Sequence, residues 1–265
     1  MNTHTGIDAT IVALERTHGG AVAHVELRGG KGNILTAEMM REVRYTLAGL
    51  AHDHTVKVVI LSGEGNHFSF GASVAEHTRE LAEEMLREFH GLILDVAKLD
   101  LPIVTCVSGM CLGGALELAL SGHLIFADAT AVFGQPEITL GVFAPPASVL
   151  LPLRLGFARA EELLVTGESI TAARALEIGL VNKLFDDRDA LRAGTDAWIE
   201  KHILPKSASS LRIAIYAERL PMVATLAATL PRLERLYVEE LMATHDANEG
   251  IQAYLEKRAP VWTDD

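Results

Sequence analysis

Basic charge is what this 265-residue chain has little of: 23 Lys and Arg stand against 35 Asp and Glu, a formal net charge of -12. No dense Lys/Arg cluster offsets that balance, which argues against nucleic acid as a partner, because phosphate backbones need concentrated positive charge. A small polyanionic ligand needs only a few well-placed cations and stays open. Cysteine is equally scarce. Cys106 and Cys111 are the only two, set among apolar neighbours. They are too few for a disulfide framework and read as buried thiols in a reducing compartment; a metal reading of their C-x4-C spacing is set aside. No apolar run reaches the ~20 residues of a membrane span without interruption. The N-terminal "MNTHTGIDAT" has neither the basic nor the apolar region of a leader. A soluble, cytoplasmic protein with no membrane partner is the expectation.

What the chain does have is apolar surface to bury. With 49% hydrophobic and 22% charged residues, it is long enough for one globular core with an appended helical part. "ATIVALERTHGGAVAHVEL" reads as a β-hairpin turning at "THGG". Thr36 can cap a helix whose apolar residues Met39, Met40, Val43, Leu47 and Leu50 keep helical spacing. "VKVVILSG" follows as a buried strand, "GEGNHFSFGAS" as a loop, residues 77–98 as an amphipathic helix, and "PIVTCVSG" and "HLIFAD" as further strands. Strand, loop and helix recur about every 45 residues, the pattern of an α/β domain built from right-handed crossovers. From about residue 157 the pattern turns mainly helical, through "FARAEELLVTG" and "TAARALEIG" to a long terminal stretch from Leu230 to Arg258.

One segment raises a chemical question. "MCLGGALELALSGHLIF" is almost wholly apolar yet carries Glu117 near its middle. A carboxylate placed in a dry interior shifts its pKa, finds a partner or serves a function. The glycines before it suggest a strand-to-helix turn whose first N–H groups are free to bind an anion or a developing oxyanion; alternatively Gly113 and Gly114 only allow close helix packing. Glu137, twenty positions on in "FGQPEITLG", sits after Pro136, which disfavours helix. Alone it could be a solvated loop acid. Two carboxylates facing one cleft suit general acid/base work. Ser108 in "TCVSGM" has no recognisable His/Asp arrangement for nucleophilic catalysis. The "HDH" at 52–54 sits in a polar connector, and His77 and His123 read as structural or lining residues rather than metal ligands.

"PIVTCVSGMCLGGALELAL", "AVFGQPEITLGVFAPPAS" and "LLVTGESITAARALEIGLVNKLF", in this order and spacing, resemble the enoyl-CoA hydratase/isomerase (crotonase) superfamily, over nearly the whole chain. The resemblance implies a crotonase-like spiral of ββα units, over residues 1–200, followed by a helical C-terminal trimerisation region at 201–265. It also implies homotrimers or homohexamers, an acyl-CoA substrate and no separate cofactor. On matching positions, the oxyanion hole falls on the backbone N–H groups of Ala72 and Gly114, and the two catalytic glutamates on Glu117 and Glu137. Phe70, Gly71, Ser73, Gly113, Phe143 and Pro145 are expected around the substrate. Lys31 and Lys257 are candidates for CoA phosphate contacts, with a plain surface role as the alternative for each.

Two departures narrow the expectation. Ser73 stands where the family usually has an aspartate, and "GVFAPPAS" replaces a glycine-rich loop, so Phe143, Pro145 and Pro146 make that wall bulkier and stiffer. Together with "LYVEELMATHDANEG" these segments are most like family members that hydrate an alicyclic conjugated dienoyl-CoA. The competing readings are a hydratase for short straight chains, an isomerase or thioester hydrolase on the same scaffold, and a catalytically silent member that binds RNA or serves assembly.

Overall fold

The computed structural model describes residues 10–265, so the N-terminal segment read above as no leader lies outside the described residues. Strands β1 (Val12–Thr17) and β2 (Val22–Leu27) pair antiparallel across the turn His18–Gly20, where Gly19 and Gly20 take φ of 64° and 94°. This is the hairpin expected at "THGG". Helix α1 (Ala37–Ala51) follows, its start capped by the Thr36 hydroxyl, which accepts from the Met39 N–H; its buried face is Met39, Met40, Val43, Leu47 and Leu50.

Strand β3 (Val58–Gly63) pairs parallel with β2, and each later strand of this sheet is also parallel: β4 (Ile103–Val107), β6 (Leu124–Asp128) and β9 (Lys183–Phe185). Alternation along β3 sends Val59 and Leu61 into the main core, and Val58 and Ile60 into a second cluster under α7 (Arg188–His202). Both faces are covered, as a parallel sheet requires. A second, short sheet contains β5 (Met110–Leu112), β7 (Val132–Gly134) and β8 (Ser169–Thr171). Single bridges Ser69 to Cys111 and Leu35 to Ala72 continue it. The chain thus climbs through successive ββα turns, each crossing from the large sheet to the small one before its helix. The mixed α/β spiral is as expected.

Two helix limits differ from the sequence reading. Helix α2 is Ala82–Lys98, not 77–98: residues Val74–His77 form a separate 3-10 turn, and the helix begins where Ala82, Met85, Leu86 and Phe89 start to be buried. In the C-terminal part the long helix starts well before Leu230. Helix α8 runs Ala208–Arg235, continues through a π-helical turn at Leu236–Glu240, and stops before Thr244, which caps α9 (His245–Glu256). By length and composition the span 208–243 could cross a membrane, and most of its most apolar stretch is exposed. Arg212 and Arg219 are nevertheless buried against the body of the protein. The Arg212 guanidinium donates to the Ala51 and Asp53 carbonyls and pairs with Asp100.

Helix α3 (Gly114–Ser121) is the centre of the molecule: all eight of its residues are buried. Its last carbonyls have no helical partners. Arg154, from α4 (Pro145–Leu155), donates to the carbonyls of Leu120 at 2.8 Å, His123 at 3.1 Å and Gly122. Arg219 donates to Ser121 at 3.1 Å and to Gly122. Two cations at this end also favour the helix dipole. His123 accepts the Ile103 N–H on Nδ1 at 3.0 Å. Burial and the flanking Arg219 and Arg154 hold its pKa down, at about 2, so it is a neutral structural residue. Cys111 is buried and Cys106 half-buried, both free thiols.

Arg219→Met removes two buried donors and leaves the Ser121 carbonyl unpaired, while the Gly122 carbonyl keeps its bond from Arg154. It is expected to cost about 2–4 kcal/mol in urea unfolding at fixed protein concentration. Arg16→Met, which breaks the surface pair with Asp53, is expected to leave the urea midpoint nearly unchanged.

Candidate active site

The site is built where the loop after β3 touches the start of α3. Gly71, at φ 100°, lets that loop lie on the strand-to-helix turn: a Cβ here would sit 2.5 Å from the Leu112 carbonyl oxygen. Its neighbours are tied down. The Gly71 carbonyl accepts from the Leu35 N–H at 2.9 Å, its N–H donates to Ser69 Oγ at 3.0 Å, and the Gly113 N–H donates to the Gly134 carbonyl at 2.9 Å. Among the described residues, the N–H groups of Ala72 and Gly114 have no acceptor in the protein. They lie side by side; a Cβ added to Gly114 would be 3.2 Å from the Ala72 nitrogen. Two unpaired donors, one of them at the first position of a buried helix, form a ready site for an oxyanion.

Glu117 lies one turn along the same helix. It is 3% exposed, and its Oε1 accepts the Ala147 N–H at 2.7 Å. The source of that donor is legible in the chemistry of α4: Pro145 and Pro146 open the helix and have no N–H, so Ala147 supplies its first. Glu137 is carried on the 3-10 turn Pro136–Leu140, which Gly141 ends in the left-handed region at φ 71°. Its carboxylate lies against Gly113, where a Cβ would come within 2.6 Å of Oε1, and its Oε2 is buried with no partner. The glycine at 113, also at positive φ, is what admits the second acid.

Burial pushes both pKa values up. For Glu117 the nearby Glu137 charge adds to burial, against a smaller opposing effect from the Ala147 N–H. Glu137 is raised to about 7, again by burial. Two carboxyls in one cavity titrate as a pair, and the upward shifts favour a shared proton near neutral pH. One can then give a proton while the other takes one.

The cavity that holds both acids is lined on its other sides by Met85, Leu86 and Phe89 of α2, by Val142, Phe143, Ala144 and Pro145, and by Tyr237 of the π-helical turn. The structure thus brings together Phe70, Gly71, Ala72, Gly113, Gly114, Glu117, Glu137, Phe143 and Pro145 of the residues expected from sequence. Ser73 is not in the lining; its carbonyl instead accepts from His77 Nδ1 at 2.8 Å, and it is His77, kept neutral by burial, that faces the cavity. Lys31 is exposed in a turn between Gly30 and Gly32, and Lys257 is exposed past the end of α9; neither lines the cavity. Sequence reasoning passed over Tyr237 and the α2 residues. The apolar face of α2 was a usable signal, whereas no local pattern marks Tyr237. A larger groove under α7 is lined by Arg28 and Arg192, each paired with Glu26, and it contains neither of the unpaired N–H donors.

The profile of the enoyl-CoA hydratase/isomerase family matches residues 17–265, and the chain belongs to that family. It is 45% identical to cyclohexa-1,5-dienecarbonyl-CoA hydratase of Thauera aromatica, over 95% of each chain. A probable enoyl-CoA hydratase of Rhizobium meliloti (strain 1021) is 35% identical over 85% of this chain and 88% of its own. Among solved structures, an enoyl-CoA hydratase from Mycobacterium avium superposes with TM-score 0.85 at 26% identity, covering 96% of this chain and 99% of its own.

The raised acids have a cost that can be measured. A carboxyl with a folded-state pKa above its unfolded value of 4.5 binds its proton more tightly when folded. Stability is therefore lost as pH rises from about 4.5, and the loss is complete above about 7. Glu137→Gln should be more stable than the wild type at pH 8, by up to about 3 kcal/mol, with the difference shrinking toward zero at pH 4.5. Urea midpoints across this range check it.

Proposed function

We propose that this protein is a hydro-lyase that hydrates cyclohexa-1,5-diene-1-carbonyl-CoA to 6-hydroxycyclohex-1-ene-1-carbonyl-CoA, a step of anaerobic benzoyl-CoA degradation. The observation that carries the reading is the pair of desolvated glutamates facing one apolar cavity beside the free Ala72 and Gly114 N–H groups. The 45% identity to a hydratase of that name supports the choice of substrate. So does the wall of Val142, Phe143, Ala144 and Pro145, which suits a rigid alicyclic group better than a flexible chain.

The chemistry follows from where charge develops. Water adds through oxygen to the ring carbon β to the thioester, and the π electrons shift toward the carbonyl oxygen. The Ala72 and Gly114 N–H groups stabilise that oxygen, each by about 3 kcal/mol in the transition state. One glutamate takes the proton from the attacking water. The other delivers a proton to the far end of the diene, leaving one conjugated double bond and a net gain of one water. The roles of Glu117 and Glu137 are not divided further. In this reading coenzyme A enters as part of the substrate, no separate cofactor is used, and the protein is cytoplasmic. Lys31 and Lys257 serve the CoA phosphates from outside the cavity, the latter from a neighbouring subunit.

Self-association as a homotrimer or homohexamer is part of the same reading. It is supported by exposed apolar side chains on two faces: Ile213, Tyr216 and Leu220 on α8, and Leu153, Phe157 and Val165 on α4 and α5 (Phe157–Thr166). Sedimentation should give three or six chain masses; a monomer at micromolar concentration contradicts it.

The direct assay is the absorbance change from dienoyl to monoenoyl thioester, with the added water confirmed by product mass; with crotonyl-CoA it is loss of the enoyl-thioester absorbance. Fast turnover of the cyclic diene with little on crotonyl-CoA is expected; the reverse preference would make this an ordinary short-chain hydratase. Glu117→Gln and Glu137→Gln should each lower kcat by about 10²–10⁴-fold, and near-normal turnover in both would refute the assignment.

A further inference from the structure

We propose that the Tyr237 hydroxyl is a third catalytic group, donating a hydrogen bond to the oxygen that is added to the ring; the proposal rests on the dienoyl-CoA reading above. Tyr237 is 1% exposed and is among the largest fully buried side chains of the protein. Its ring is fixed against Phe143, centroid to centroid 5.4 Å at 56°. Its Oη is buried with no hydrogen-bond partner, although the ring lines the cavity that contains both glutamates.

A buried, unpaired hydroxyl is destabilising, and phenylalanine at this position would avoid that cost with the same ring. The residue is presented by a π-helical turn, Leu236–Glu240, a feature rare in helices and frequent at functional sites. Burial and then the charges of Glu137 and Glu117 raise the phenol's pKa. At neutral pH it is therefore a donor and not a base. The remaining polar surface of the cavity complements it. Glu117 Oε1 is occupied by Ala147, while Glu137 Oε2 has no partner.

The reaction gives this donor a task. When the proton returns to the carbon beside the thioester, two carboxyls can hold the water between them throughout. When it must reach the far end of the diene, one carboxyl has to serve a carbon remote from the added oxygen. A third group is then needed to hold that oxygen. In the step proposed, the C–O bond forms at the β-carbon as the water proton passes to one glutamate. The π electrons move to the thioester oxygen, and the other glutamate protonates the distal carbon. Tyr237 keeps its proton throughout and contributes only the hydrogen bond.

The test uses the full-length protein and cyclohexa-1,5-diene-1-carbonyl-CoA, comparing wild type with Tyr237→Phe. The expected result is a kcat lowered about 10²-fold, with KM changed less than about threefold. The urea midpoint should be unchanged or higher, because the unpaired hydroxyl is gone. A fluorotyrosine at this position, which keeps the hydroxyl, should retain most of the activity. Wild-type kcat in Tyr237→Phe overturns the proposal. A raised KM at unchanged kcat also overturns it, since that would make Tyr237 a packing wall. Wild-type protein inactive on the diene would instead overturn the functional reading, and this role with it.

Discussion

The structure turns on one electrostatic constraint: two carboxyl groups share a single, largely apolar cavity, where both cannot be ionised at low cost. Glu117 is fixed by a buried helix and by one backbone N–H, Glu137 by a proline-led turn pressed against a glycine. Neither has a cation to neutralise it among the described residues. A pair in this position is disposed to share a proton near neutral pH, the state that the proposed water addition would use. The same desolvation that weakens the fold at high pH would, in the proposed reaction, poise the acids for proton transfer.

The surrounding fold holds both ends of α3. At its N-terminus, Gly71 and Gly113 let two backbones approach closely enough for the Ala72 and Gly114 N–H groups to lie together. At its C-terminus, Arg154 and Arg219 fill the carbonyls that the helix leaves open. A helix of eight residues has little stability of its own. Its position comes from burial on every side and from these two guanidinium groups, one of them delivered by the C-terminal helix. That helix also brings Tyr237 to the cavity, so the helical region shapes the site as well as the surface.

Much of this was legible in the sequence where the signal is local. The five buried residues of α1 and its threonine cap follow from spacing and hydroxyl chemistry alone. Glu117 stood out because a charge in an apolar run demands an explanation; Glu137 alone read as a loop acid and was singled out by the family resemblance, and Pro136, expected to disfavour helix, instead opens the 3-10 turn that carries it. Other features depend on contacts that spacing does not encode. The early start of α8 is masked by Pro221 and Pro231 within it and by an apolar pattern that favours no single face. The late start of α2 reflects where its apolar residues meet the core. Ser73 was placed at the substrate by its sequence neighbours, yet its side chain lies outside the cavity lining, and His77 faces in. Tyr237 depends on a π-helical turn, which leaves no periodic trace.

The central claim is that the glutamate pair retains a proton at neutral pH. Infrared difference spectra between the wild type and Glu117→Gln or Glu137→Gln, recorded from pH 4 to 9, test it through the C=O stretch of a protonated carboxyl. That band should persist in the wild type near pH 7 and vanish only on further titration. A wild-type protein with both carboxylates ionised by pH 6, like exposed glutamates, would contradict the account.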